Sequence, residues 1–117
     1  MLVEDNPVHV VMIESLLRKW NLQIAIAQNG YEAIRKMLVG RYDILLMDMQ
    51  LPELSGSETS KQIRRMNLTI EYVPILAVTI LDCEGMKEII KEGFIDSYVS
   101  KPFSSEQLYT AMKKYLG

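Results

Sequence analysis

The chain has 117 residues and a formal net charge of -2, with 49% hydrophobic and 24% charged residues, which is one domain's length with material for an ordinary core. The balance excludes nonspecific nucleic-acid binding through this domain, since the short clusters Arg18-Lys19, Arg64-Arg65 and Lys113-Lys114 are expected as solvated helix faces. The single Cys83 excludes an intramolecular disulfide framework, and with no signal-peptide pattern and no apolar run of about 18 residues the segment is expected to be cytoplasmic and free of membrane contact.

Met1-Leu2-Val3 runs straight into Glu4-Asp5-Asn6-Pro7, so any first strand is short. The whole of residues 1–117 reads as one domain excised from a longer polypeptide, with an edge strand or an engineered start as the alternative. Asn6-Pro7 predicts an N-cap with proline at the first helical position. The helix it opens is expected to run to about Trp20, burying a stripe of Val8, Met12 and Leu16 beside a second of Ile13, Leu17 and Trp20. Val10 and Val11 fall outside both stripes. Gln23 to Ala27 is a strand candidate, and Asn29-Gly30 turns into a second helix carrying Ala33, Ile34, Met37 and Leu38 inward until Gly40.

Ile44, Leu45, Leu46 and Met47 follow without alternation, as suits a strand buried on both faces of a parallel sheet, and they stop at Asp48. After Pro52, Ser55 and Glu58 have capping-box spacing for a third helix anchored by Ile63 and Met66. Ile75 to Val78 predict a fourth strand ending in Thr79. A helix from about Cys83 to Glu92 buries Met86, Ile89 and Ile90, with Cys83 read as structural. Tyr98-Val99 is a brief fifth strand ending at Ser100-Lys101-Pro102. Ser104 and Gln107 again have capping-box spacing, and Leu108, Ala111, Met112 and Tyr115 line the last helix. Strands alternating with helices predict a doubly wound parallel sheet covered on both faces.

In such a sheet the carboxyl ends of the strands converge on one crevice. Glu4 and Asp5, Asp48, Thr79 and Lys101 each stand at one of those ends. Crowded carboxylates demand a cation, and oxygen donors without nearby Cys or His favour Mg²⁺ or Mn²⁺ over zinc. A hydroxyl and an ammonium opposite them suit a tetrahedral oxyanion.

The segments VEDN, MDMQLPELSG, AVT and SKPF, at these separations, resemble the receiver domain of two-component response regulators, most closely the receivers of hybrid sensor histidine kinases. The resemblance implies a flavodoxin-like fold with five parallel strands in the order 2-1-3-4-5 and five helices. It implies that Asp48 accepts a phosphoryl group from a phosphohistidine on a histidine kinase or histidine phosphotransfer domain. By the same match, Asp5, Asp48 and the backbone carbonyl of Gln50 hold Mg²⁺ while Glu4 helps through water. Thr79 and Lys101 bind the phosphoryl oxygens, the Lys101-Pro102 peptide is cis, and Thr79 and Tyr98 form the switch. Such a domain catalyses its own phosphorylation and a slow loss of the phosphate; in a hybrid kinase the full chain is a kinase. The stimulus, the cognate kinase and whether homodimers form stay open.

Ile80 stands where the family usually has a small residue, and its bulk is expected to slow phosphorylation and hydrolysis. Val10 and Val11 replace common polar residues, either as a docking patch for the phosphodonor or as a wider buried stripe. His9 is expected to be a surface helix residue. A phosphatase resembling haloacid dehalogenases would need a second Asp where Gln50 stands, and an FMN binder would need a phosphate cradle where Glu4-Asp5 lies. A degenerate receiver, acting by protein interaction without phosphorylation, is the remaining alternative.

Overall fold

The computed structural model describes residues 1–66, 72–80 and 83–116; of Cys83 only the backbone is described, so its side chain lies outside. The elements alternate as β1 (Leu2–Val3), α1 (Pro7–Lys19), β2 (Ile26–Ala27), α2 (Gly30–Val39), β3 (Leu45–Asp48), α3 (Gly56–Arg65), β4 (Ile75–Thr79), α4 (Cys83–Lys91), β5 (Ser97–Ser100) and α5 (Ser105–Leu116). The five strands are parallel in the order β2-β1-β3-β4-β5, as expected.

Because successive strand residues point to opposite faces, the apolar runs feed two separate cores. Val3, Leu45, Met47, Ile75 and Ala77 meet Ala33 and Met37 of α2, Ile63 of α3 and Met86 of α4. Leu2, Leu46, Leu76, Val78 and Val99 meet Ile13 and Leu17 of α1 and Leu108 and Met112 of α5. Every residue of β3 and β4 is buried, which is why neither run alternates.

The helix starts follow the expected chemistry. Asn6 accepts from the Val8 amide at 2.9 Å, ahead of which Pro7 needs no partner for a missing N–H. Asn29 and Ser55 accept from the amides of Glu32 and Glu58. Ser104 and Gln107 form the full reciprocal box, the Ser104 amide donating to Gln107 Oε1 at 2.8 Å and the Gln107 amide to Ser104 Oγ at 3.1 Å.

Three expectations need correction. Val8 (71% exposed) and Met12 face solvent, so α1 buries only the Ile13–Leu17 stripe, with Leu16 and Trp20 half-buried beside it; a helix lying on one sheet face turns only one of two adjoining stripes inward. Leu38 is exposed because α2 rests on Ala33 and Met37 with Ile34 at their edge. Only Ile26 and Ala27 of the expected Gln23–Ala27 strand pair, because β1 offers just Leu2 and Val3 as partners.

At the amino edge of the sheet Arg64 donates to the carbonyls of Val73 (2.8 Å) and Phe94 (3.2 Å) and to Asp96 Oδ2 (3.0 Å). Asp96 Oδ2 also accepts from the Ile75 amide at 2.8 Å. One guanidinium thus joins α3 to the segments leading into β4 and β5.

The Met1 amino group lies inside the sheet, donating to the Ile44 carbonyl at 2.7 Å. Burial pushes its pKa from 8.0 down to about 6, against a smaller opposite pull from Asp43. The unfolded amine therefore holds a proton that the folded one gives up between pH 8 and 6. Stability should accordingly rise with pH across that window, by roughly 2 to 3 kcal/mol for a chain with a free amino group at Met1. Urea midpoints at pH 6 and pH 8 should show this rise in the free form, and acetylation at Met1 should remove it.

Candidate functional site

β3 sits at the sheet's centre, and its last residue, Asp48, is 4% exposed. Its Oδ1 accepts from the Gln50 amide at 3.0 Å, which fixes the carboxylate against the loop that follows. The next turn is pinned by the Met49 amide on the Val78 carbonyl (3.2 Å) and the Gly56 amide on the Met49 carbonyl (3.3 Å). A side chain at Gly56 would place its Cβ 2.3 Å from the Asp48 carbonyl oxygen and 2.7 Å from Met49 Cα. Only glycine lets α3 start this close to the strand end.

Glu4 is fixed by its amide, which donates to the Ala27 carbonyl at 2.9 Å, and its side chain is 1% exposed. Glu4 Oε1 accepts from the Asn6 amide at 3.3 Å, whereas Oε2 is buried with no hydrogen-bond partner. Asp5 is exposed at the mouth, and carboxylate oxygens of Glu4, Asp5 and Asp48 all lie within 4.8 Å of one another. Lys101 enters from the far end of β5, where its amide donates to the Thr79 carbonyl at 2.7 Å and its peptide bond to Pro102 is cis, as expected. Its Nζ stands 3.6 Å from both Glu4 Oε2 and Asp48 Oδ1.

Thr79 is buried at the end of β4, one residue beyond Val78, the register partner of Asp48. Gln50 is exposed in the loop after Asp48, and Ile80 is exposed just past Thr79. Tyr98 pairs with Ala77 in mid-strand and is half-buried against the α2–α3–α4 core.

His9 corrects the expectation of a plain surface residue. Its Nδ1 lies 3.2 Å from Glu4 Oε1 and 3.4 Å from Lys101 Nζ. Side chains in the first turn of a helix lean toward its amino end, and α1 begins directly above the strand ends. His9, three residues after the Asn6 cap, was therefore readable as reaching back to the notch.

Burial raises the Glu4 pKa, and the neighbouring Asp48 charge raises it further, while Lys101 opposes them. The orphaned Oε2 and an all-carboxylate donor set of Glu4, Asp5 and Asp48 fit a hard divalent cation. The described helices include none long and apolar enough to cross a membrane.

Residues 1–113 match the response regulator receiver domain family. The chain belongs to that family. Among receiver relatives, the polar-differentiation response regulator DivK of Brucella anthropi is 34% identical over 117 residues, covering all of this chain and 94% of that protein. The receiver domain of the sensor histidine kinase PA1611 from Pseudomonas aeruginosa, solved with a magnesium ion in its active-site cleft, superposes with a TM-score of 0.88 at 34% identity, covering 99% of this chain and 94% of that one. Full-length ShkA in complex with AMPPNP contains a similar domain, with a TM-score of 0.85 and 28% identity over 99% of this receiver and 23% of that chain.

The raised Glu4 pKa gives a signed expectation. A carboxyl group whose folded-state pKa lies above its unfolded value stabilises the fold while protonated and loses that contribution as pH rises through the folded value. Glu4→Gln should therefore raise the melting temperature of the metal-free receiver at pH 8 by a few degrees, about 4 °C per kcal/mol for a domain of this size. The gain should shrink at acidic pH; differential scanning calorimetry with chelator at pH 5 and 8 checks it.

Proposed function

We propose that this receiver takes a phosphoryl group from a phosphohistidine onto Asp48 and passes the event to a changed interaction surface. The observation that supports it best is the placement of the Asp48 carboxylate, buried, within 4.8 Å of two further carboxylates and 3.6 Å from the Lys101 ammonium. Asp5, Asp48 and the Gln50 backbone carbonyl would hold Mg²⁺ or Mn²⁺, with Glu4 acting indirectly. When bound, that ion neutralises charge on the phosphoryl oxygens. An Asp48 carboxylate oxygen forms a bond to phosphorus as the phosphorus–nitrogen bond of the donor breaks, and the electron pair returns to the imidazole. Lys101 and the Thr79 hydroxyl receive the equatorial oxygens, where negative charge accumulates.

Engagement of Thr79 with the phosphate biases Tyr98 inward and so alters the surface of α4, β5 and α5, a local charge event shifting a two-state equilibrium. The likeness to the receiver domain of the sensor histidine kinase PA1611 supports a place in a sensor histidine kinase, and we place the domain in the cytoplasm. With Mg²⁺ and acetyl phosphate, intact-mass measurement should show the protein gaining one phosphoryl group. Asp48→Asn should gain none, and a wild type that stays unmodified with phosphoramidate as well would overturn the assignment.

The donor's docking surface is the apolar groove of Pro7, Val8, Val11, Met12, Leu16 and Phe103 beside the notch. Of the two valines expected either to dock a donor or to widen the buried stripe, Val11 is 68% exposed and belongs to this groove, whereas Val10 is half-buried and does not line it. A helical histidine-bearing partner laid there would bring its imidazole toward Asp48. Val11→Glu should slow phosphotransfer from whichever histidine domain phosphorylates the wild type, on the order of tenfold, the size of an interface hot spot. Radiolabelled transfer assays should show that slowing, while the acetyl phosphate rate stays unchanged.

A further inference from the structure

We propose that His9 is a positioning residue for Glu4: its Nδ1–H donates to Glu4 Oε1 and so fixes Oε2 as the oxygen turned to Lys101; this rests on the reading of the notch given above. His9 Nδ1 lies between two groups that ask opposite things of it, Glu4 Oε1 at 3.2 Å and the Lys101 ammonium at 3.4 Å. A carboxylate only accepts, an ammonium only donates, and a ring nitrogen of the neutral imidazole does one or the other. The place of the ring proton therefore decides which contact is made. Burial decides the proton. The Glu4 side chain is 1% exposed, whereas that of Lys101 is 17% exposed and faces two carboxylate oxygens at 3.6 Å. A bare Nδ1 would turn its lone pair on a carboxylate oxygen that water cannot reach, while a protonated one denies Lys101 only a third acceptor.

With the proton on Nδ1, Glu4 Oε1 takes two donors, the Asn6 amide at 3.3 Å and the imidazole at 3.2 Å. Oε2 takes none. Two donors on one oxygen set the plane of the carboxylate, which keeps the bare oxygen toward Lys101 Nζ. Without the imidazole a single long amide contact would hold Oε1, and the terminal torsion of a glutamate is broad and two-fold. His9 stands on the first turn of α1, which Asn6 caps and Pro7 begins, so both donors reach Oε1 from one rigid helix start. Groups that orient the carboxylates of a metal site matter nearly as much as the ligands themselves. Lys101, given no acceptor by the ring, keeps its freedom to turn to a phosphoryl oxygen.

His9 is the only histidine of the chain, so its ring signals need no separate assignment. In the wild type with chelator at pH 8, long-range nitrogen–proton correlation spectra should show the ring proton on Nδ1. The Mg²⁺ concentration giving half-maximal phosphorylation by acetyl phosphate should rise about tenfold in His9→Leu. His9→Asn, whose side-chain amide can donate from the same branch position, should restore most of that loss. A proton found on Nε2 with Nδ1 bare, a half-maximal Mg²⁺ concentration unchanged in His9→Leu, or a His9→Asn no better than His9→Leu would overturn the inference and leave Asp48 as the phosphoacceptor. A wild type that neither acetyl phosphate nor phosphoramidate modifies would overturn both.

Discussion

The confinement of two buried carboxylates, Glu4 and Asp48, with a third at the mouth and a single ammonium between them governs this structure. Charges removed from water demand compensation, and one cation against three acids leaves a negative excess. The excess is visible in Glu4, whose proton is held more tightly than usual because of burial and of Asp48. A pocket with that residual field favours any arriving cation, and then the phosphoryl group that the cation and Lys101 together can bear.

The rest of the fold keeps those charges from relaxing apart. Asp48 cannot retreat, since Val78 pairs with it on one side and α3 abuts its carbonyl through Gly56. The Glu4 side chain cannot swing outward without losing the Asn6 amide and the His9 imidazole from its Oε1. At the opposite edge, Arg64 and Asp96 tie α3 to the starts of β4 and β5, so the strands that deliver Thr79 and Lys101 are anchored far from the chemistry. The function thus rests on packing that is apolar on both sheet faces and polar only at the two ends.

Much of this was legible in the residues. The unbroken apolar runs at Ile44–Met47 and Ile75–Val78 identified strands buried on both faces, and the residues ending them converge as the strand-end rule demands. Cap chemistry located the starts of α1, α3 and α5, and a turn dipeptide that of α2, where Asn29 proves to be the cap. Periodicity was weaker on α1 and α2, because it cannot say how wide a stripe the sheet will cover; Val8, Met12 and Leu38 sit at the stripe margins and emerged in solvent. Arg64 looked like a solvated charge because its carbonyl partners are separated from it in sequence by 9 and 30 residues. His9 escapes a reading by helix face for a different reason: its contact with Glu4 comes from leaning along the helix axis toward the strand ends.

α1 is consequently asked to do two things with one short stretch. Its inner stripe, Ile13 and Leu17, fastens it to the sheet, while Val8, Val11 and Met12 stay outside. Burying those three would strengthen the domain alone, yet they remain in solvent as an apolar patch on α1. The same first turn carries His9 inward to Glu4 and Lys101. A partner settling on the outer stripe therefore touches the element that aims the imidazole. One helix start thus carries both an exposed apolar stripe and the imidazole that meets Glu4 and Lys101, so the outer surface of α1 and the charge balance of the notch share a single rigid element.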